Sequence, residues 1–187
     1  MLEKIATIVA QRLYTGLNAS KEQYDTCRYG IEILLHTILS TLGLFAIGLY
    51  LRMFPEALII ITVFYINQSL GGGFHASSHM KCFITMALFL TSGLCILYIF
   101  PQIPWLDFCL SIAAIITLEQ IPLVLHKNKQ YLSAQSSHFV IRSRIAVGIF
   151  SCIVIICAFF KIVFIRALSI GLVLSAVSRI YAKYQPS

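Results

Sequence analysis

The chain has 187 residues, 59% of them hydrophobic and only 11% charged, with a formal net charge of +7 and a mean hydropathy of +0.87. A soluble domain carries roughly 25% charged residues, so this balance excludes an ordinary soluble domain and predicts one all-α, polytopic membrane domain over residues 1–187. The 14 Lys and Arg residues stand at the ends of apolar runs, where such residues set orientation and meet anionic headgroups, so the charge implies a lipid bilayer as partner and not nucleic acid.

Residues 1–17 read as an amphipathic helix. Leu2, Ile5, Val9 and Leu13 share one stripe, with Lys4, Thr7 and Gln11 elsewhere. It is too polar to span, and the stretch 1–20 is expected either to lie in the membrane interface or to cover the bundle. No signal-peptide h-region with a cleavage site follows Met1, so insertion is expected to rely on internal spans. Ser20 and Gln23 resemble a capping box, which starts a helix near Lys21. It enters the membrane near Ile33, and residues 33–51 carry no charged side chain. Glu32 and His36 lie one turn apart at its entry, a spacing that suits a local hydrogen bond.

Pro55 suits a helix start. The apolar run 57–70 that follows would cover only about 21 Å of a roughly 30 Å hydrocarbon core. It is expected to end within or at the edge of the bilayer, and Gly71-Gly72-Gly73 comes next. Irregular backbone at that depth must be buried in protein or line a cavity. A third span is predicted over 78–100, and Pro101 and Pro104 bracket the turn after it. The fourth runs over 104–125, contains Glu119 and Gln120, and should kink at Pro122. The polar stretch 126–144 precedes a fifth run at 145–160. Lys161 and Arg166 mark a break before a sixth run that ends near Ser178. The fifth and sixth read as short. The prediction is therefore about six transmembrane helices plus the N-terminal amphipathic one.

This topology places Arg52, Lys161 and Arg166 on one side and the remaining eleven Lys and Arg residues on the other. The positive-inside rule then puts both termini and the segment 71–82 in the cytoplasm. A cysteine there stays reduced. No internal repeat is visible, which gives little support to an inverted-repeat transporter. Four of the six cysteines (Cys95, Cys109, Cys152 and Cys157) lie within apolar runs, where a thiol behaves as a small hydrophobe. No C-x-x-C pair occurs, so no metal site and no cofactor is expected.

The segment 71–82 is the one polar, glycine-rich stretch that also carries a nucleophile and a base. His75 and Cys82 are the candidate pair: a thiolate attacks and an imidazole takes its proton. On one straight helix, residues seven apart would stand about 10.5 Å apart along the axis, beyond proton-transfer reach. The glycines supply the required break, and Ser77 or Ser78 can cap the next helix. Cys82 then falls in the first turn or two, where the helix dipole favours a thiolate, with nearby backbone N–H groups as oxyanion donors. His79, three residues and one helical turn before Cys82, is a rival base, and spacing does not decide between the two. Glu119, a carboxylate inside a span, is a functional candidate by default.

The string Gly72-Gly73-Phe74-His75-Ala76, followed by Cys82 between apolar helices, resembles the accessory gene regulator protein B (AgrB) family of bacterial membrane endopeptidases that process a quorum-sensing pro-peptide. His126-Lys127-Asn128-Lys129 resembles that family's lysine-rich motif after the fourth span. Length, basic character, amphipathic N-terminus and span number extend the resemblance over the whole chain. It implies Cys82 as nucleophile, His75 rather than His79 as base, Gly73 as part of the motif, and Lys127 and Lys129 as substrate-binding residues. It also implies a multi-pass protein of the bacterial plasma membrane, a homodimer, and an amphipathic pro-peptide substrate with an acidic tail. The tail would be cleaved through an acyl-enzyme, and the retained part would close as a thiolactone or lactone. Two departures stand out. Gln68 occupies a position that is basic in many relatives. Leu125 and Gln130 replace the acid and the proline that often flank the lysine-rich motif. Glu119 is the candidate to stand in for that acid, and Asn67 and Gln68 are the candidates to orient His75. Two readings of other classes remain open on the residues: a small transporter or exporter using Glu119, and a non-catalytic scaffold that binds an amphipathic peptide.

Overall fold

A computed structural model describes residues 2–14, 21–73, 79–121, 123–124, 133–160 and 162–184. Among them there are seven helices and no strand: α1 (Leu2–Tyr14), α2 (Lys21–Tyr50), α3 (Phe54–Gly71), α4 (His79–Ile99), α5 (Pro104–Gln120), α6 (Ser133–Phe159) and α7 (Ile165–Tyr184). The chain divides into two compact units, Met1–Ala46 and Ile47–Ser187.

The first unit holds α1 and most of α2. Ala6 and Ala10 are the buried positions of α1, while Ile5, Val9 and Leu13 of the expected apolar stripe are exposed, as an interface-facing stripe would be. Glu3 and Arg28 form an exposed ion pair at 3.5 Å. In α2, Thr37 and Thr41 return their hydroxyls to carbonyls one turn back, so they add no unsatisfied donor to an apolar helix.

The second unit is a bundle built around α7, which packs most extensively against α5 and α3 and also meets α4 and α6. Its core joins Val63 of α3, Leu118 of α5, Val147, Phe150 and Val154 of α6, and Leu168 and Leu172 of α7. α7 reaches this central position through small residues. A Cβ on Gly171 would stand 2.9 Å from Cβ of Val63, and one on Gly93 of α4 would stand 2.9 Å from Cγ2 of Ile170. Close backbone approach of this kind replaces the hydrophobic drive that lipid removes.

Five helices, α2, α3, α4, α6 and α7, are long and apolar enough to cross a membrane. The protein is an all-α, multi-pass membrane protein. α5, the expected fourth span, has 17 residues, about 25 Å of helix against a roughly 30 Å core. It ends at Gln120 and not near 125, because the residue before a proline is pushed out of helical geometry. Pro122 itself lies outside the described residues. The fifth and sixth runs are corrected in the other direction. α6 has 27 residues and α7 has 20, since α6 begins inside the stretch read as polar and Arg166 is helical. Buried serines and arginines lowered the apparent hydropathy of α7 without interrupting it.

Candidate functional site

The site is assembled at the C-terminal end of α3. Asn67 is buried, and its side-chain amide returns a hydrogen bond to the Val63 carbonyl at 2.9 Å. The helix closes when the Gly72 N–H donates to the Gln68 carbonyl at 3.0 Å. Gly72 has φ +71° and ψ −174°, a region essentially restricted to glycine, and a Cβ there would stand 2.5 Å from the Val124 carbonyl oxygen. Each neighbouring glycine leaves room for a specific group. A Cβ on Gly71 would overlap the Arg179 guanidinium. On buried Gly73 it would stand 2.7 Å from Gln68 Oε1 and 2.8 Å from Ser178 Oγ. The Val124 N–H donates to the Gly71 carbonyl at 2.9 Å, fastening the segment after α5 to the glycines.

Arg179 holds this arrangement together. It is 1% exposed. Its Nη1 donates to the carbonyls of Leu118 and Ile121 at 3.2 and 3.0 Å, and its Nη2 donates to the Asn67 carbonyl at 2.9 Å. These carbonyls belong to the C-terminal ends of α5 and α3, which carry unsatisfied acceptors and the negative end of the helix dipole. The planar fork of a guanidinium spreads its donors to serve two helix ends at once, a geometry that the compact ammonium lacks. Sequence reasoning treated Arg179 only as a topology-setting cation. The missed signal is its setting after Ser175 and Ser178, small residues on a helix that admit a close neighbour.

Cys82 stands three residues after His79, where α4 begins, and so lies in the first turn. None of the six cysteines forms a disulfide. Cys82 lines a small cleft with Phe64, Thr85, Met86, Phe89 and Ser178. The Phe64 and Phe89 rings meet edge to face at 6.4 Å. Ser178, which the sequence marked only as the end of the sixth run, donates to Gln68 Oε1 at 3.2 Å. The structure thus brings Gln68, Gly73, Ser178 and Cys82 together, with Asn67 and Arg179 directly behind them.

Glu119 faces elsewhere: its carboxylate lies 3.7 Å from Arg144 Nε in a half-exposed pair between α5 and α6. His75, Lys127 and Lys129 lie outside the described residues, as does the His79 side chain. Among the described residues no three His, Cys, Asp or Glu side chains cluster as metal ligands.

The family model described as "Accessory gene regulator B" matches residues 3–179. Two relatives from Clostridium perfringens, named "Putative AgrB-like protein" (strain SM101 / Type A) and "Putative AgrB-like protein 2" (strain 13 / Type A), are each 29% identical over 82 residues. Each match covers 44% of this chain and 38% of the relative, so the chain aligns with well under half of either one's length. No solved structure matches. With the family match running from α1 to the arginine that ties α3 to α5, this chain belongs to the accessory gene regulator B family.

Proposed function

We propose that this protein is a membrane-embedded cysteine endopeptidase that matures a quorum-sensing pro-peptide, with Cys82 as nucleophile and His75 as base. The observation that carries the reading is the position of Cys82, in the first turn of α4 and on the wall of a cleft bordered by the residues that support the glycine triplet. A helix start favours the thiolate and presents unpaired N–H groups.

In this reading His75 removes the thiol proton, and Cys82 Sγ attacks the carbonyl carbon at the junction between the pheromone segment and the acidic tail. Backbone N–H groups at the start of α4 receive the oxyanion. Collapse of the tetrahedral intermediate expels the tail amine, which takes the proton from His75, and leaves a thioester on Cys82. A thiol or hydroxyl within the retained peptide then attacks that thioester, forms a thiolactone or lactone, and returns Cys82 as a thiol. Thioester exchange conserves much of the bond energy, so cyclisation competes where water is kept out. Lys127 and Lys129 bind the acidic tail, the active site faces the cytoplasm of a bacterial cell, and the protein works as a homodimer. The Glu119–Arg144 pair supports a structural role for Glu119 rather than one in transport.

Reconstitution in lipid with a candidate pro-peptide tests the reading. Mass spectrometry should find loss of the tail, and of one water from the retained part, with wild type only. Processing that survives Cys82→Ala would sink the enzyme, and processing that survives His75→Ala alone would move the base to His79.

A further inference from the structure

The two ends of the Ile47–Ser187 unit face different surroundings. At the glycine end Lys81, Arg142, Arg144 and Lys183 are exposed. At the other end lie two turns, 100–103 between α4 and α5 and 160–164 between α6 and α7. There Phe100, Ile103, Phe160 and Val163 are exposed, and Trp105 and Phe159 beside them are 78% and 81% exposed. Exposed apolar residues gathered in this way mark a surface that meets something other than water. We propose that both turns lie among the acyl chains of the leaflet opposite the glycine triplet, with Trp105 just beneath the headgroups. This placement holds whether or not Cys82 is a nucleophile.

Irregular backbone enters hydrocarbon only where its polar groups are satisfied within the protein, and much of the backbone of these turns meets that condition. Arg166 takes the carbonyls of Phe100 and Ile96 at 2.6 and 3.1 Å. Pro101 and Pro104 have no N–H to satisfy, and the Ile103 carbonyl accepts from the Asp107 N–H at 3.0 Å. In the second turn the N–H groups of Phe160, Ile162 and Ile165 find carbonyls at 3.0, 2.9 and 3.2 Å. Gln102 has the only carboxamide or charged side chain from Ile99 to Leu106, and it donates across to the Val163 carbonyl at 3.4 Å. The flanking charges are withdrawn as well. Asp107 and Arg166 are 6% and 9% exposed, and Arg166 Nε lies 3.8 Å from the Asp107 carboxylate. Lys161 lies outside the described residues, and a lysine stem is long enough to carry its ammonium up to the headgroups. Helix length points the same way. α5 covers about 25 Å of a roughly 30 Å core, and Glu119 near its far end is half-exposed beside Arg144, a charge pair that belongs at the headgroups. With that end of α5 at one surface, its Pro104 end falls short of the other. The occupant is lipid because the apolar surface of the turns runs on from lipid-facing residues of α4 and α6, Ile99 into Phe100 and Ile156 into Phe160.

Trp105 is the only tryptophan, so the unmodified full-length protein reports its own depth. It is reconstituted in vesicles of dioleoyl phosphatidylcholine, with and without the same lipid brominated near the carbonyl end of its chains. Trp105 emission should fall by about half in the brominated vesicles, and iodide on both faces should quench it about tenfold less than free tryptophan. Strong quenching by iodide with none by brominated lipid would place the turns in water and overturn the proposal. Shielding from both quenchers would also overturn it, since protein, such as a second copy of the chain, would then cover the patch. The other turn is read with Val163→Trp in a Trp105→Phe background, where the same pair of results is expected and the same outcomes count against it. Val163→Asp and Ile103→Asp should each lower the melting temperature in vesicles by about 3 °C. An unchanged value in both would overturn the proposal, because a carboxylate on a water-facing turn costs little.

Discussion

The two ends of α7 solve one problem in two ways. Each end carries a buried arginine that binds the C-terminal carbonyls of neighbouring helices, and the two arginines lie thirteen residues apart. Arg166 donates to the carbonyls of Phe100 and Ile96 of the α4 end at 2.6 and 3.1 Å, and its Nε lies 3.8 Å from the Asp107 carboxylate in the first turn of α5. Arg179 binds only carbonyls, and among the described residues no carboxylate lies within ion-pair distance of it. The Arg166 end is a charge-balanced closure beside the proline turn. At the Arg179 end the hydrogen bonds of the cation go to backbone carbonyls, and the glycine triplet and the Cys82 cleft stand next to it. A buried guanidinium held by carbonyls orders main chain, and ordered main chain is what the proposed chemistry beside the glycines requires.

The sharpest way to break the comparison is Arg179→Leu. It leaves the carbonyls of Asn67, Leu118 and Ile121 without their donor, at about 1–3 kcal/mol each. Melting in detergent should fall strongly, and processing per folded molecule should fall with it. Arg166→Leu should destabilise by about 3–5 kcal/mol because it strands the Asp107 charge, yet processing per folded molecule should hold. Pairing it with Asp107→Leu should recover part of the loss. If Arg166→Leu damaged processing as Arg179→Leu does, the two ends would not differ in function. Gly72→Ala should cost about 1–3 kcal/mol for its left-handed backbone and reduce processing, measured against a Gly148→Ala control, whose Cβ would meet nothing within 4 Å. Glu119→Gln is the smallest expected change. Its half-exposed pair with Arg144 is worth at most about 1 kcal/mol, so processing and melting should stay near wild type. A large loss there would return weight to a transport reading.

Much of the architecture was legible in the sequence because a bilayer demands long apolar runs, and those are read locally. The starts of α2, α3 and α5 followed from Ser20–Gln23, Pro55 and Pro104, each a short-range signal of capping or fixed φ. The break at Gly71-Gly72-Gly73 and the entry of Cys82 on the next helix were equally local. The length of α7 was not, because hydropathy assigns Arg166 and Arg179 to water, whereas tertiary packing supplies them with carbonyl partners. The sequence by itself therefore determined the helical class and the break in the chain after α3. Only the tertiary structure decided that α7 is the centre of the bundle, that Arg179 closes α3 and α5 together, and that Ser178 reaches Gln68 beneath Gly73. Those contacts join residues more than fifty positions apart, and no periodicity along one chain specifies which buried donor will meet which distant carbonyl.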